Sequence, residues 1–276
     1  MALQASGAIS LNDISTEFGG DTPHSLSEYY RGGTYVGTNN STVPESGAID
    51  FADFYSTTAA MVLNVSANTS NYNVKTSAVA AGLTDGSGVP IIVNVSAIVT
   101  GSGDYAMQTG DLDNSHDITI NINSGGQIDG YTGTTAGPVA GTGGAGGDAI
   151  YWNSDTGGSP THIVNLNSGG YLRGGGGGGG GGGQRGGRQG LCDDGKGNQS
   201  CCGSVLYGSY GTNGAAGAFG AAGASGGGGG WGAGSNSCVI QHPGGGGSGG
   251  AAGYALRKNS RTVTLNNSGT LAGTVG

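Results

Sequence analysis

The sequence predicts a mainly β fold that incorporates glycine-rich helices of the polyglycine II type, behind small α/β modules at the N-terminus. Three observations predict it. Glycine supplies 66 of the 276 residues, about a quarter of the chain against a usual share of roughly 7%. A pattern of apolar residues alternating with Asn or Thr, closed by a turn and a glycine, recurs three times without gaps, at Ile120 to Gly130, Val164 to Gly174 and Val263 to Gly273. Charged residues make up 9% of the chain. That does not suit a solvated disordered chain, which combines low hydrophobicity with high net charge, and the Gly-X-Y period of collagen is missing.

Residues 1–60 hold a duplication and read as an attachment or assembly module. Ser6 to Ile14 recurs as Ser46 to Phe54. Each copy reads as a short strand entering a helical turn, with Ser10 or Asp50 at the N-cap and Asp13 or Asp53 in the reciprocal capping-box position. Ser25 to Gly33 reads as another capped turn stopped by glycine.

Residues 61–110 read as an α/β neck. Met61 to Ala67 and Ile91 to Ala97 are β-rich segments sharing an Asn-Val-Ser-Ala core. Asn71 to Ala81 reads as a helix, capped by Asn71 or Asn73, striped by Val74, Ala78 and Ala81, and closed by Gly82.

Residues 111–276 carry the three repeats, the signature of short strands stacked in a solenoid-like or sandwich arrangement. Between the repeats lie glycine tracts at 141–147, 174–183, 226–230 and 244–250. Glycine-rich sequence is by default a flexible linker, but these tracts are bracketed by strands, and structureless loops of such length are uncommon inside compact domains. Lacking Cβ atoms, extended threefold glycine helices can approach closely and hydrogen-bond through their backbones. The aliphatic content of this half is low for a conventional core, so backbone hydrogen bonds are expected to hold it together.

Charge divides the chain. Up to Asp155 fifteen acids face two bases, a net of −13; from Thr156 onward seven bases face two acids, a net of +5, which together give the overall −8. A basic distal half suggests an anionic partner. Met1 to Gly7 shows neither the basic nor the apolar run of a signal peptide. The cysteines, Cys192, Cys201, Cys202 and Cys238, all lie in the glycine-rich half, and their spacing fits no zinc pattern. Disulfides closing the 192–202 loop or tying it to Cys238 stand beside free thiols as alternatives.

The residues offer little for catalysis. His24, His116, His162 and His242 have no spaced metal-ligand partners, and His116 and His162 read as histidines at strand edges. Matches to G-x-G-x-x-G within 174–183 lack an acidic ribose partner and a βαβ context. Asp193 to Asn198 lacks calcium-loop spacing, and the acids Asp111, Asp113 and Asp117 read as a solvated turn. The expectation is a protein that is not an enzyme, with no cofactor, no metal and, given its acidity, no nucleic-acid partner. Binding is better supported. Tyr151, Trp152, Arg185, Arg188, Lys196, Tyr207, Tyr210 and Trp231 are candidate receptor contacts, because aromatic faces beside cations suit sugar stacking and anion pairing. Phe219 and Trp231 read equally well as plugs at the ends of the glycine lattice.

The N-terminal run, with Ser6 to Ile14, Glu17 to Gly20, Ser25 to Gly33 and Phe51 to Tyr55, resembles a module common in phage tail structural proteins. The stretch from Asn71 to Gly82, the 91–99 strand and the Asn-Ser-Gly repeats resemble glycine-rich phage tail-fibre or tail-tip adhesins. The distal half is similar to the polyglycine adhesins of T-even fibre tips, although residues 1–60 do not follow their N-terminus. The resemblance implies a virion tail protein, extracellular after lysis, in which a packed glycine scaffold presents variable receptor-binding loops. Its implied partners are a host surface glycan or outer-membrane protein and other phage tail proteins, with the chain a homo-oligomer or bound to an oligomeric fibre. The alternatives are a subunit that assembles into or decorates a filament or virion, and an ice-binding protein. The latter would need regular Thr or Ala ladders, which the sequence does not show.

Overall fold

The computed structural model describes residues 3–20, 22–37, 40–83, 89–112, 116–137, 139–153, 161–230 and 237–276. In the first sixty residues both capping boxes form. Ser10 caps the helix Leu11–Phe18, its hydroxyl accepting the Asp13 N–H at 3.2 Å while the Asp13 carboxylate accepts the Ser10 N–H at 2.8 Å. Asp50 and Asp53 repeat the arrangement at the 3-10 turn Phe51–Phe54. The hydrogen bonds from Ser10 hold the Asp13 carboxyl below the usual carboxylate range. The strands expected ahead of both caps do not form at residues 6–9 and 46–49, because no neighbouring segment offers them a ladder. Ile14, Phe18, Tyr29, Val36, Val43 and Phe54 make a core of their own, with the Phe54 ring edge-on to Phe18 and Tyr29.

From residue 61 the chain winds through three parallel sheets of five strands each. Each circuit lays one strand on each sheet. The first circuit supplies Met61–Val65, Thr69–Ser70 and Tyr72–Asn73; the second supplies Ile91–Val95, Ile98–Thr100 and Tyr105–Gln108. The third adds Ile118–Ile122, Gln127–Asp129 and Asp148–Tyr151. The fourth adds His162–Leu166, Tyr171–Arg173 and Tyr254–Arg257, and the fifth closes with Val263–Asn267, Thr270–Ala272 and Thr274–Val275. The sheets thus run across the boundary expected at residue 110. One hydrophobic core, from Met61 to Val263, fills the space between them.

Alternation puts Ile91, Val93 and Val95 inward and turns Asn94 outward. The register then stacks like on like: Asn64, Asn94, Asn121, Asn165 and Asn266 occupy one position in successive strands. Each Asn donates its carboxamide N–H to the Asn before it at 2.8–3.1 Å. An in-register parallel ladder permits this, because identical side chains sit one strand spacing apart. The expected helix is present as Val74–Ala80, capped by Asn73, whose side chain accepts the Thr76 N–H at 3.0 Å.

His116 and His162 are buried rather than at a solvent edge. The His116 ring meets the Val89 carbonyl at 2.8 Å, and His162 packs on Trp152 with ring centroids 5.0 Å apart. Burial, reinforced by Arg261, lowers the His162 pKa below its ordinary 6.5. Between the folded and the ordinary value the unfolded chain therefore holds more protons. Stability from this group is complete above pH 6.5 and is lost as pH falls below it. The denaturation midpoint should decline from pH 6.5 towards about 5, above the usual carboxylate range, and the decline should be shallower in His162→Gln.

Two excursions leave the stack between the second and third sheets, at residues 130–147 and 174–253. The second begins with the ten glycines 174–183, all of them buried. Their hydrogen bonds repeat every third residue. Gly175, Gly178 and Gly181 donate to the carbonyls of Gly147, Gly144 and Gly141. Gly177, Gly180 and Gly183 donate to Ala221, Ala224 and Gly227. The carbonyls of Gly176, Gly179 and Gly182 accept from Gly133, Ala136 and Ala140. Further donors arrive from Gly211, Gly214 and Gly217 on one side and Gly247, Gly250 and Gly253 on another. The segment at 174–183 is therefore the centre of a bundle of extended segments joined through their backbones, and buried polar groups find partners without side chains.

Candidate functional site

Beyond Gly186 the central segment leaves the bundle and becomes a three-stranded antiparallel sheet, Gly187–Asp193, Gln199–Tyr207 and Ser237–Gln241. It lies at the end of the glycine segments opposite the strand stack, since the chain reaches it from Arg173 by the full length of the central tract. Two disulfides staple it. Cys192–Cys202 ties the first strand to the second and Cys201–Cys238 ties the second to the third, with Cα atoms 5.8 and 5.7 Å apart. The adjacent cysteines of the second strand point to opposite faces, so each binds a different partner. Asp193 and Asp194 build the turn between the first two strands, accepting the N–H groups of Gly195 and Lys196 at 2.8 Å. Hydrogen bonds from Asn198 and Lys196 hold the Asp194 carboxyl below its usual range.

A sheet this small cannot bury its own apolar residues. Leu191, Leu206, Tyr207, Val239 and Ile240 remain 38 to 53% exposed. Arg188, Leu206 and Val239 share one face, because Arg188 pairs with both of the others. The guanidinium of Arg185 lies 4.2 Å from the centre of the Tyr207 ring and 5.1 Å from that of Tyr210, fixing two half-exposed aromatics beside the sheet. An apolar surface with fixed aromatics and flanking cations can bind another macromolecule.

Of the residues singled out from sequence, the structure brings together Arg185, Tyr207 and Tyr210, with Arg188 on the adjoining strand; Lys196 belongs to the same sheet but sits in the turn at its other end. Tyr151 lies elsewhere, at the end of a strand of the third sheet and stacked on Tyr105. Trp152 is a correction: it is 2% exposed, in the main core against His162, and is not available for contact. Trp231, like Asp113, lies outside the described residues. Phe219 sits at the opposite turn, next to the strand stack, under the Arg173 guanidinium at 4.5 Å. Leu191, Leu206, Val239 and Ile240 escaped the sequence reading, which sought aromatics and cations; their signal is β-prone residues beside cysteines in a segment with no core to enter. Among the described residues no group of three His, Cys, Asp or Glu side chains could hold a metal ion.

The disulfides should matter locally. Each typically contributes about 2–4 kcal/mol, and here that stabilisation falls on a sheet with little burial. Reduction should speed hydrogen exchange at the Gly187–Tyr207 amides while leaving the Ile118–Ile122 and His162–Leu166 amides protected.

No curated protein sequence matches the chain. Its fold is similar to that in the crystal structure of the gp37–gp38 adhesin tip complex of the bacteriophage S16 long tail fibre. The likeness covers 99% of this chain and 100% of that one, with 20% sequence identity and a TM-score of 0.50. The family model of the phage tail fibre adhesin Gp38 matches residues 60–276, the span that holds the strand stack, the glycine bundle and the stapled sheet. The chain belongs to the phage tail fibre adhesin Gp38 family.

Proposed function

We propose that this chain binds a receptor on the host cell surface through the stapled sheet and the loops beside it, acting by adhesion and not by catalysis. The observation that carries the reading is the placement of exposed Leu206, Tyr207, Val239 and Ile240 on a disulfide-fixed sheet at the far end of the glycine bundle. The receptor is a surface glycan or an outer-membrane protein. In this reading the bundled segments are helices of the polyglycine II type, consistent with their period-three hydrogen bonds. At about 3.1 Å per residue, the tract from Gly174 to Gly186 holds the sheet roughly 40 Å from the stack. A rigid support lowers the ordering cost of binding.

Residues 1–60, with their separate core, are proposed to join the chain to its fibre. The similar S16 structure is of a gp37–gp38 complex, and the partner proposed here is likewise a fibre protein of the same virion. After lysis the assembled tail carries the adhesin into the extracellular medium. The test is adsorption of the purified chain to susceptible and resistant cells: selective adsorption supports adhesion, and equal or absent adsorption opposes it. A second reading, a subunit that stacks into filaments, takes support from the outer edges of Met61–Val65 and Val263–Asn267, the end strands of the first sheet. Electron microscopy separates the two, since filaments of the purified chain would favour the second.

A further inference from the structure

A groove of about 620 Å³ opens on the flank of the strand stack, between the third sheet and the first turns of the glycine segments, away from the stapled sheet. Tyr105 and Tyr151 stack in it with ring centroids 5.5 Å apart and planes inclined by 28°, and Tyr131 adds a third phenol ring. Below them Arg257 and Asp148 form a chelated pair, one arm of which measures 3.1 Å. The guanidinium also covers the Tyr254 ring at 4.3 Å, so its charge is already answered. The three tyrosine hydroxyls, the exposed Asp104 carboxylate and the Gln108 carboxamide have no hydrogen-bond partner among the described residues. The groove thus offers aromatic faces, an unengaged carboxylate, a carboxamide and hydroxyls that both donate and accept.

Those groups select a ligand class. An anion would meet Asp104 without a free cation to offset it. A wholly apolar ligand would strip water from the carboxylate and carboxamide with nothing in return. A sugar ring answers both demands: its C–H face lies on a phenol ring, and its hydroxyls donate to Asp104 and accept from Gln108 and the tyrosines. The volume falls in the usual range of ligand sites and accommodates a short oligosaccharide. We propose that this flank groove is a binding site for a neutral saccharide, stacked on the Tyr105–Tyr151 pair and hydrogen-bonded by Asp104 and Gln108. It is a second site, independent of the stapled sheet.

The test is a titration of the full chain with neutral tetrasaccharides of glucose, galactose and N-acetylglucosamine, and with a tetrasaccharide of uronic acids. Saturation-transfer NMR and calorimetry report binding. At least one neutral sugar should bind and the uronic acid sugar should not. Tyr105→Ala should weaken binding about tenfold, the equivalent of roughly 1.4 kcal/mol for one lost stacking ring. Asp104→Asn and Gln108→Ala, at positions that carry no core packing, should each weaken it measurably and decide the matter if Tyr105→Ala does not fold. Binding of no neutral sugar, preference for the uronic acid sugar, or unchanged affinity in Asp104→Asn and Gln108→Ala would overturn the proposal. Because this titration uses no cells, its failure leaves adsorption through the stapled sheet as a separate result.

Discussion

Gly178→Ala is expected to destabilise the chain by more than about 3 kcal/mol, at or beyond the upper end of ordinary overpacking, while Gly245→Ala is expected to be neutral or slightly stabilising. Both residues lie in glycine tracts and neither needs a left-handed backbone conformation. They differ in what a methyl group would meet. A Cβ at Gly178 would fall well inside 3.0 Å of the Thr134 carbonyl oxygen, a backbone atom held by the bundle; one at Gly245 would meet nothing within 4 Å. The same contrast holds around the central segment, where Gly177 faces the Gly250 carbonyl, Gly179 that of Gly214 and Gly180 that of Gly247. Relief would require a neighbouring segment to move out, breaking hydrogen bonds on its far side as well. At Gly245 the methyl group restricts the unfolded chain, which favours folding by about 0.4–1 kcal/mol. Thermal unfolding reads the difference, with roughly 2–4 °C per kcal/mol at this chain size. Equal midpoints for the two variants would show that the tract is not packed as described.

Trp152→Ala is expected to cost about 3–5 kcal/mol, the usual range for emptying a buried aromatic site. The ring is enclosed by the core and rests on His162. Its backbone is fixed on both sides, the N–H by the Arg257 carbonyl at 2.9 Å and the carbonyl by the Asn259 side chain at 2.6 Å. The chain around it cannot readily collapse into the void. Trp152→Phe should recover part of the loss. Any reduction in adhesion should follow the unfolded fraction, so cooling the alanine variant should restore adsorption. A folded Trp152→Ala chain with lost adsorption would instead return this residue to the receptor surface.

Much of the strand stack was legible because its repeats align without gaps. Asn121 and Asn165, matched by sequence, occupy one rung position in space. In the third repeat the first strand is displaced by two residues, so that Asn165 pairs with Asn266 where the sequence match gives Thr264, while Leu172 and Leu271 pair as matched. Asn64 and Asn94 read from sequence as a matched pair within a separate neck, whereas in space they continue the same ladder. Successive rungs are 30, 27, 44 and 101 residues apart, so no constant period announced that all five belong to one ladder. The cause is the pair of glycine excursions, which leave the stack at the same corner and return to it. Trp152 reads from sequence as a contact aromatic like Tyr151; consecutive residues of an extended chain face opposite ways, so a ring open to the surface at Tyr151 argues for a buried one beside it. The stapled sheet was foreshadowed by the four cysteines. The Cys201–Cys238 pairing depends on the third strand returning to the first with Cys238 opposite Gln189, a register that spacing alone does not specify.

Cell adsorption by a sheet-face variant tests the central claim most directly. Leu206→Asp combined with Val239→Asp changes two exposed residues of the face shared with Arg188 and leaves the core, bundle and disulfides intact. The variant should unfold at the temperature of the parent chain and fail to adsorb to susceptible cells or to block phage attachment. Undiminished adsorption by the folded double variant would contradict adhesion through the stapled sheet.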